Sequence, residues 1–447
     1  MTKGEIDRLG NQIRAEYDTL GDKTLEELQK YRTSHKETLA QVFNVLCKLN
    51  RKMGKGNIVT YRIKRFESII GKLYRFPDMK FSRMWDIGGC RCIVNSNEEV
   101  YKLKKLIEQS QELEIRKEYD YITSPKEEGY KSLHLFVSIK DNPVVIELQI
   151  RNKVDHNWAT LVEITDLLFD AKLKEFKKNK DLLRFHFLLS KRHELTHIEK
   201  QEIAKIITKY NYLDKLSEVF SKNYIQIRKR WLEIENLHNH NYFLIETKKD
   251  EVPKITSYKS FDEAEENYLN IYKNTKNANV VLTHLPKPNY QQISIAYSNY
   301  ILTFHTFIDD CYKIYEDLIE NTLTTNKYIE FYKYFTTYNE IVYNHIKNLV
   351  SEVNELNKIA RKKLVNKKST KQKAKEKEWI TDINSYIRKL SEKQNKMQIL
   401  FKNHVPSTYF DKFFIRNITN LVAKKYEKKL RKIIGSPASP SIRQPPR

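Results

Sequence analysis

Between Trp85 and Arg151 the hydrophobic period of this chain changes, and that change constrains its fold more than any other feature. WDIGGCRCIV, LEIRKEYDYI, SLHLFVSI and VVIELQI are short, β-branched or alternating, and polar turns separate them. With a helix near 98–110 they describe a mixed sheet. On either side the period is helical. Residues 1–75 read as helices, with Leu39, Val42, Phe43, Leu46 and Leu49 recurring at three and four, and residues 155–235 return to that spacing.

Nine of the ten glycines fall at or before Gly129, so the glycine-poor remainder is expected to be mainly helical. NYFLIET (Asn241 to Thr247), a helix near 261–274 and NVVLTHL (Asn279 to Leu285) form a second, smaller α+β unit. The aromatic SIAYSNYILTFHTFIDD that ends it is expected to pack back onto the body. The fold class is α+β, with expected segments 1–170, 171–320, 321–434 and a disordered Pro/Ser tail over 435–447. No internal repeat recurs at a fixed period.

Charge separates these segments. The chain has 447 residues and a formal net charge of +24, yet residues 321–447 hold 28 Lys and Arg against 10 Asp and Glu. The basic excess therefore belongs mostly to that helical, Tyr-rich region and its run RKKLVNKKSTKQKAKEKE (Arg361 to Glu378), where tRNA or ribosome contact is a possible role. Cys47, Cys90, Cys92 and Cys311 form no CxxC pair, which argues against a disulfide scaffold or a zinc site. No apolar run approaches the ~18–20 residues that cross a bilayer, and the first ten residues lack a signal-peptide core. A soluble, cytoplasmic protein without a membrane partner is expected.

Four polar clusters fall in and before the sheet region: YRIKRFESIIGK (Tyr61 to Lys72), DIGGCR (Asp86 to Arg91), DYITSPKEEGYKSLH (Asp120 to His134) and VIELQIR (Val145 to Arg151). On a helix, Lys64, Ser68 and Lys72 would share one face, opposite Phe66, Ile69, Ile70 and Leu73. Two ammonium groups and a hydroxyl suit a triphosphate, and Arg62 adds a bidentate donor; a plain solvated basic face would look the same. Glu147, Gln149 and Arg151 alternate with Ile146, Leu148 and Ile150, on a strand face that meets either water or a ligand. Asp86 opens another strand, and two carboxylates from neighbouring strands could hold magnesium against phosphate oxygens. Gly88 and Gly89 inside that strand favour a closely approaching ligand. Lys126, Gly129 and Tyr130 fall in a turn where the tyrosine offers a flat surface for a purine, or packs on the core, and His134 follows on the next strand.

Together the clusters resemble, in order and spacing, the synthetase domain of the RelA/SpoT family over roughly residues 40–165. The resemblance implies a nucleotidyltransferase-like mixed sheet flanked by helices. It also implies transfer of the β,γ-pyrophosphate of ATP to the 3′-hydroxyl of GDP or GTP with magnesium. Arg62, Lys64, Ser68 and Lys72 then correspond to ATP-phosphate contacts, Asp86 to a magnesium ligand and Arg91 to the arginine of the DxxGxR motif. Lys126, Tyr130 and His134 match the acceptor loop, the tyrosine stacking on guanine. Glu147 matches the carboxylate that binds magnesium and activates the hydroxyl, with Gln149 beside it.

Arg91, five residues from Asp86, should face the opposite side of a regular strand unless a glycine bulge re-aims it. Nothing matches the HDxxED motif of the family's hydrolase domain, so product hydrolysis is not expected. DHNWATLVEITD (Asp155 to Asp166) resembles a less studied single-synthetase branch. Two other readings use the same residues: a toxin that pyrophosphorylates the 3′ end of tRNA, and a catalytically silent nucleotide-sensing or nucleic-acid-binding module. Homo-oligomerisation is compatible with each of the three.

Overall fold

The computed structural model describes residues 1–16, 20–54, 56–171, 173, 179–218, 227, 231, 234, 237, 239–247, 251–275, 279–285, 306–362, 370–404 and 408–434. In chain order the elements begin with α1 (Lys3–Ala15), α2 (Asp22–Thr33), α3 (Lys36–Arg51), β1 (Ile58–Ile63) and α4 (Phe66–Arg75). β2 (Gly88–Val94), α5 (Asn97–Glu108), β3 (Leu113–Asp120), β4 (Leu133–Ile139), β5 (Val145–Asn152) and α6 (Lys153–Phe169) follow. Next come α7 (Lys180–Ser190), α8 (His197–Tyr210), β6 (Tyr242–Thr247), β7 (Lys254–Tyr258), α9 (Phe261–Asn274) and β8 (Asn279–His284). The last helices are α10 (Thr306–Thr324), α11 (Tyr328–Lys362), α12 (Thr370–Asn403) and α13 (Tyr409–Ile434). They divide into two compact units, Met1–Leu167 with Glu233–Ile301, and Leu168–Leu232 with Leu302–Arg447.

The first unit is α+β around one eight-stranded mixed sheet of order β3-β4-β5-β2-β1-β8-β6-β7. β2 and β5 run parallel, with Gly89 opposite Glu147, and β1 pairs antiparallel to β2 with Arg62 opposite Gly89. The core joins the expected helical stripe, Leu39, Val42, Phe43, Leu46 and Leu49, to the inward strand positions Cys90, Cys92, Leu135, Ile146, Leu148 and Ile150.

Two sequence expectations change here. Residues 58–63 form a strand inside a region read as helical. The segment IVTYRI is almost wholly β-branched or aromatic, and it follows Gly54 and Gly56, whose φ values of +115° and +100° turn the chain out of α3. The strands read into a separate small unit instead extend the same sheet, since β8 pairs with β1 through Tyr61–His284 and Arg62–Thr283. That pairing covers an edge of β1 that would otherwise present open backbone groups.

The second unit is helical among its described residues. α10 and α11 bury Tyr312, Tyr315, Leu318, Tyr338 and Val342, and Tyr426 of α13 is buried too. The Tyr312 hydroxyl meets Nδ1 of His345 at 3.1 Å. Among the described residues no helix is long and apolar enough to cross a membrane. The 435–447 tail, residues 363–369 of the basic run, and most of the aromatic segment at 294–310 lie outside the described residues.

α1 shows how tightly the helices meet the loop ahead of β2. A Cβ on Gly10 would lie 2.7 Å from Cβ of Phe81, a backbone-near atom with little freedom, whereas Gly4 has nothing within 4 Å. Gly10→Ala should therefore lower stability by about 1–3 kcal/mol even though alanine is the better helix former. Gly4→Ala should be neutral or stabilising by up to ~1 kcal/mol. Urea unfolding of the two variants checks the contrast; equal midpoints would remove the packing argument.

Candidate active site

The ladder between β1 and β2 continues one step past Ile63, where the Lys64 N–H donates to the Ile87 carbonyl at 2.8 Å. This holds Lys64 extended, so α4 begins at Phe66 and Lys64 is not on its face; the single helical face expected for Lys64, Ser68 and Lys72 is not formed. Ser68 and Lys72 share α4, one turn apart. Lys64 and Lys72 nevertheless converge. Their Nζ atoms donate to Oδ2 and Oδ1 of Asp86 at 2.8 and 2.9 Å.

Asp86 sits in the turn before β2, not in the strand. Burial pushes its carboxyl up, but the two ammonium groups outweigh that and hold it at about 2. Because strand alternation does not begin until Gly88, Arg91 needs no bulge to share the sheet face of Gly89; it lies between Thr60 and Gln149. The glycines separate in role. A Cβ on Gly88 would strike Cδ1 of Ile146 at 2.7 Å, a packing demand, while one on Gly89 would meet only the Glu147 carbonyl at 3.7 Å. Gly89 thus leaves a gap on the sheet face between Glu147 and Arg62. Among the described residues nothing pairs with the half-buried Arg62 guanidinium.

On the other side of the gap a closed ring of hydrogen bonds surrounds Glu147. Its Oε1 meets Nδ1 of His134 at 2.9 Å and its Oε2 accepts from Gln149 Nε2 at 3.1 Å. Nε2 of His134 meets the Tyr130 hydroxyl at 2.8 Å. Arg151 Nη2 donates to that hydroxyl oxygen at 3.0 Å and to Gln149 Oε1 at 2.7 Å. Arginine can only donate, so with a neutral imidazole the matching tautomer carries its proton on Nδ1, toward Glu147, and accepts the tyrosine proton at Nε2. Burial drives the Glu147 carboxyl up, the His134 contact drives it down, and the balance lies below the ordinary carboxylate range.

Lys126 stands 4.6 Å from the Tyr121 ring centroid and 5.3 Å from that of Tyr130, in a turn set by Gly129 at φ +88°. The structure therefore gathers Lys126, Tyr130, His134, Glu147 and Gln149 around one ring, and Lys64, Lys72 and Asp86 around another centre, with Arg62, Gly89 and Arg91 on the strands between. Arg151 was visible in the sequence on the face of Glu147, but the reading gave it no role. It is buried and holds both Tyr130 and Gln149. Tyr121, edge-on to His134 at 5.2 Å, was not singled out at all.

Among the described residues no group of three or more His, Cys, Asp or Glu is placed to hold a metal ion. Two ionised carboxylates beside several cations do fit a magnesium ion that shares its shell with substrate phosphates and water.

Residues 61–167 match the family model described as a region found in RelA / SpoT proteins. This stretch is a RelA/SpoT region. It runs from Tyr61 in β1 into α6, so α1 to α3 and β6 to β8 lie outside it. GTP pyrophosphokinase YwaC of Bacillus subtilis (strain 168) is 37% identical over 112 residues, 22% of this chain and 53% of that enzyme. GTP pyrophosphokinase YjbM of the same strain is 28% identical over 125 residues, 26% of this chain and 59% of that enzyme. The chain thus spans little more than half the length of these relatives. A crystal structure of small alarmone synthetase 1 from Bacillus subtilis bound to its product pppGpp aligns with 42% of this chain and 97% of its own. Its identity is 19% and its TM-score 0.32.

The Asp86 cluster in the RelA/SpoT region has a pH signature. A carboxyl held at about 2 instead of 3.8 stabilises the fold by about 2 kcal/mol above pH 4, and that contribution is lost as pH falls toward 2. Asp86→Asn should lower stability at pH 7, by leaving two half-buried ammonium groups without their carboxylate, and flatten the pH dependence between 4 and 2. Denaturant titrations at those pH values read both effects; an unchanged acid slope would refute the assignment.

Proposed function

We propose that this chain is an ATP-dependent pyrophosphokinase that transfers the β,γ-pyrophosphate of ATP to the 3′-hydroxyl of GDP or GTP. The observation that carries the reading is the juxtaposition on one sheet of two unlike centres across Gly89. One is a pair of lysines, Lys64 and Lys72, around Asp86, with Arg62 on the neighbouring strand; the other is an ionised Glu147 steered by His134 and Gln149. Two curated relatives of the RelA/SpoT region, YwaC and YjbM, are GTP pyrophosphokinases, which supports the same chemistry.

In this reading Lys64 and Lys72 exchange their bonds to Asp86 for bonds to ATP phosphates, with Arg62 as a bidentate donor and Ser68 and Arg91 alongside. Asp86 and Glu147 would hold magnesium, which when bound neutralises charge on the transferring phosphates. Tyr130, fixed by its hydroxyl between His134 and Arg151, presents its ring to the guanine, which displaces Lys126 from that face toward the acceptor's phosphates. Glu147 takes the proton of the 3′-hydroxyl as that oxygen bonds to the β-phosphorus, the bridge between α- and β-phosphates breaks, and AMP leaves. Positioning and charge carry such a transfer, and no covalent enzyme intermediate is required.

The test is ATP labelled on the γ-phosphate, offered with magnesium to GDP, GTP, AMP and deacylated tRNA separately. Label on GDP or GTP supports the proposal; label on tRNA makes the chain a tRNA-modifying enzyme, and no transfer to any acceptor removes the catalytic reading. Glu147→Gln should reduce transfer by at least ~10²-fold, as loss of a general base does, with an unchanged circular dichroism spectrum. Retained activity would remove Glu147 from the chemistry.

A further inference from the structure

Lys64 occupies the short link between β1 and α4, and two side chains from outside the RelA/SpoT region bond to the backbone of this link. Arg32 of α2 has a fully buried side chain, and its Nε donates to the Lys64 carbonyl at 2.8 Å. The guanidinium lies between the Phe66 and Tyr268 rings, 4.5 Å from each centroid. Its Nη1 donates to Gln29 Oε1 at 2.6 Å and to Glu265 Oε2 at 3.3 Å, and Gln29 in turn donates to Glu265 Oε2 at 2.7 Å.

Two residues further on, α4 starts without a side-chain cap from Arg65. The Tyr268 hydroxyl takes that place and accepts from the Phe66 N–H at 3.1 Å, while Tyr272 packs edge-on against the Phe66 ring at 4.8 Å. α9 is seated for this task by polar pairs along its length. Lys36 meets Asp262 at 2.6 Å, and Lys273 meets Glu26 at 3.1 Å.

We propose that Arg32, Glu265 and Tyr268 are positioning residues for the ATP-phosphate subsite. They fix the backbone from Lys64 to Phe66 and so determine where the Lys64 and Lys72 ammonium groups stand. The proposal rests on the reading of those lysines as phosphate contacts. A buried Arg–Glu pair is a poor way to gain stability, because desolvation offsets most of its attraction. A guanidinium whose third contact is the carbonyl of a site lysine is instead suited to geometry: Lys in its place keeps the charge but loses the Nε–H. The segment 242–285 thereby acquires a role in ATP binding, although none of its residues lies in the matched region.

The experiment uses the full chain with Tyr268→Phe, which removes one hydroxyl, and Arg32→Lys. Calorimetry measures binding of α,β-methylene ATP with magnesium, kinetics measures KM for ATP and for the acceptor separately, and thermal unfolding monitors the fold. Each folded variant is expected to bind the analogue on the order of tenfold more weakly, with KM for ATP raised alike and KM for the acceptor unchanged. Unchanged analogue binding in folded Tyr268→Phe, or equal rises in both KM values, would overturn the proposal. Should Arg32→Lys fail to fold, Tyr268→Phe alone decides. Absence of analogue binding by the unsubstituted protein would overturn the phosphate-site reading itself, a result distinct from a failure of the variants.

Discussion

Everything at the candidate site depends on the parallel pairing of β2 with β5. A parallel pair brings two strand beginnings to the same rim of a sheet, which antiparallel neighbours cannot do. Asp86 precedes β2 by two residues, Glu147 is the third residue of β5, and Gly89 lies directly opposite Glu147. β1, antiparallel to β2, ends at that rim and delivers Lys64 there. β4, antiparallel to β5, sets His134 beside Gln149. A one-residue slip of β5 would turn Glu147, Gln149 and Arg151 into the core and bring Ile146, Leu148 and Ile150 to the surface, so hydrophobic burial enforces the register that chemistry uses.

The charges follow from that placement. Carboxylates this enclosed would take up protons unless cations or hydrogen-bond donors faced them. Asp86 is kept ionised by two lysines, Glu147 by His134 and Gln149, and Nη2 of the buried Arg151 donates to two neutral acceptors. Each carboxylate of the resting site is thus matched while cations remain in excess, and under the proposed function a polyanion would enter by exchange: each phosphate oxygen that draws a lysine away frees an Asp86 oxygen for a cation. On that proposal nucleotide and divalent metal would bind better as a pair than either alone, because a lysine drawn to phosphate leaves an enclosed Asp86 oxygen that a cation can match.

Period-two alternation made the sheet between 84 and 151 readable, and with it the shared face of Glu147, Gln149 and Arg151. The motif clusters likewise named side chains that the fold brings together. Three things were not readable, each for a physical reason. β1 carries one basic residue, Arg62, and Lys64 just after it stands at a spacing from Ser68 and Lys72 that also fits a helix, so local pattern could not separate a strand ending at Ile63 from a helix beginning earlier. The addition of β8 to β1 pairs Tyr61 with His284, a contact decided by an uncovered edge and not by any neighbouring residue. The alternation problem at Arg91 arose from placing Asp86 inside the strand; two residues of turn dissolve it.

Arg32 illustrates a kind of residue whose place local sequence does not supply. An arginine at the end of an amphipathic helix, beside Gln29 and Tyr31, reads as surface, because charged side chains are rarely fully buried without a partner. Here the partner, Glu265, is supplied 233 residues later, and two aromatic rings from different helices enclose the guanidinium. Nothing within ten residues of Arg32 announces this. A matched region of about a hundred residues can therefore contain all the chemistry of a site while the geometry of that site is held from outside it. In this chain β1, α4 and Lys64 are steadied on one side by α2 and on the other by α9. Chains that share only the matched region need some other way to fix the same link.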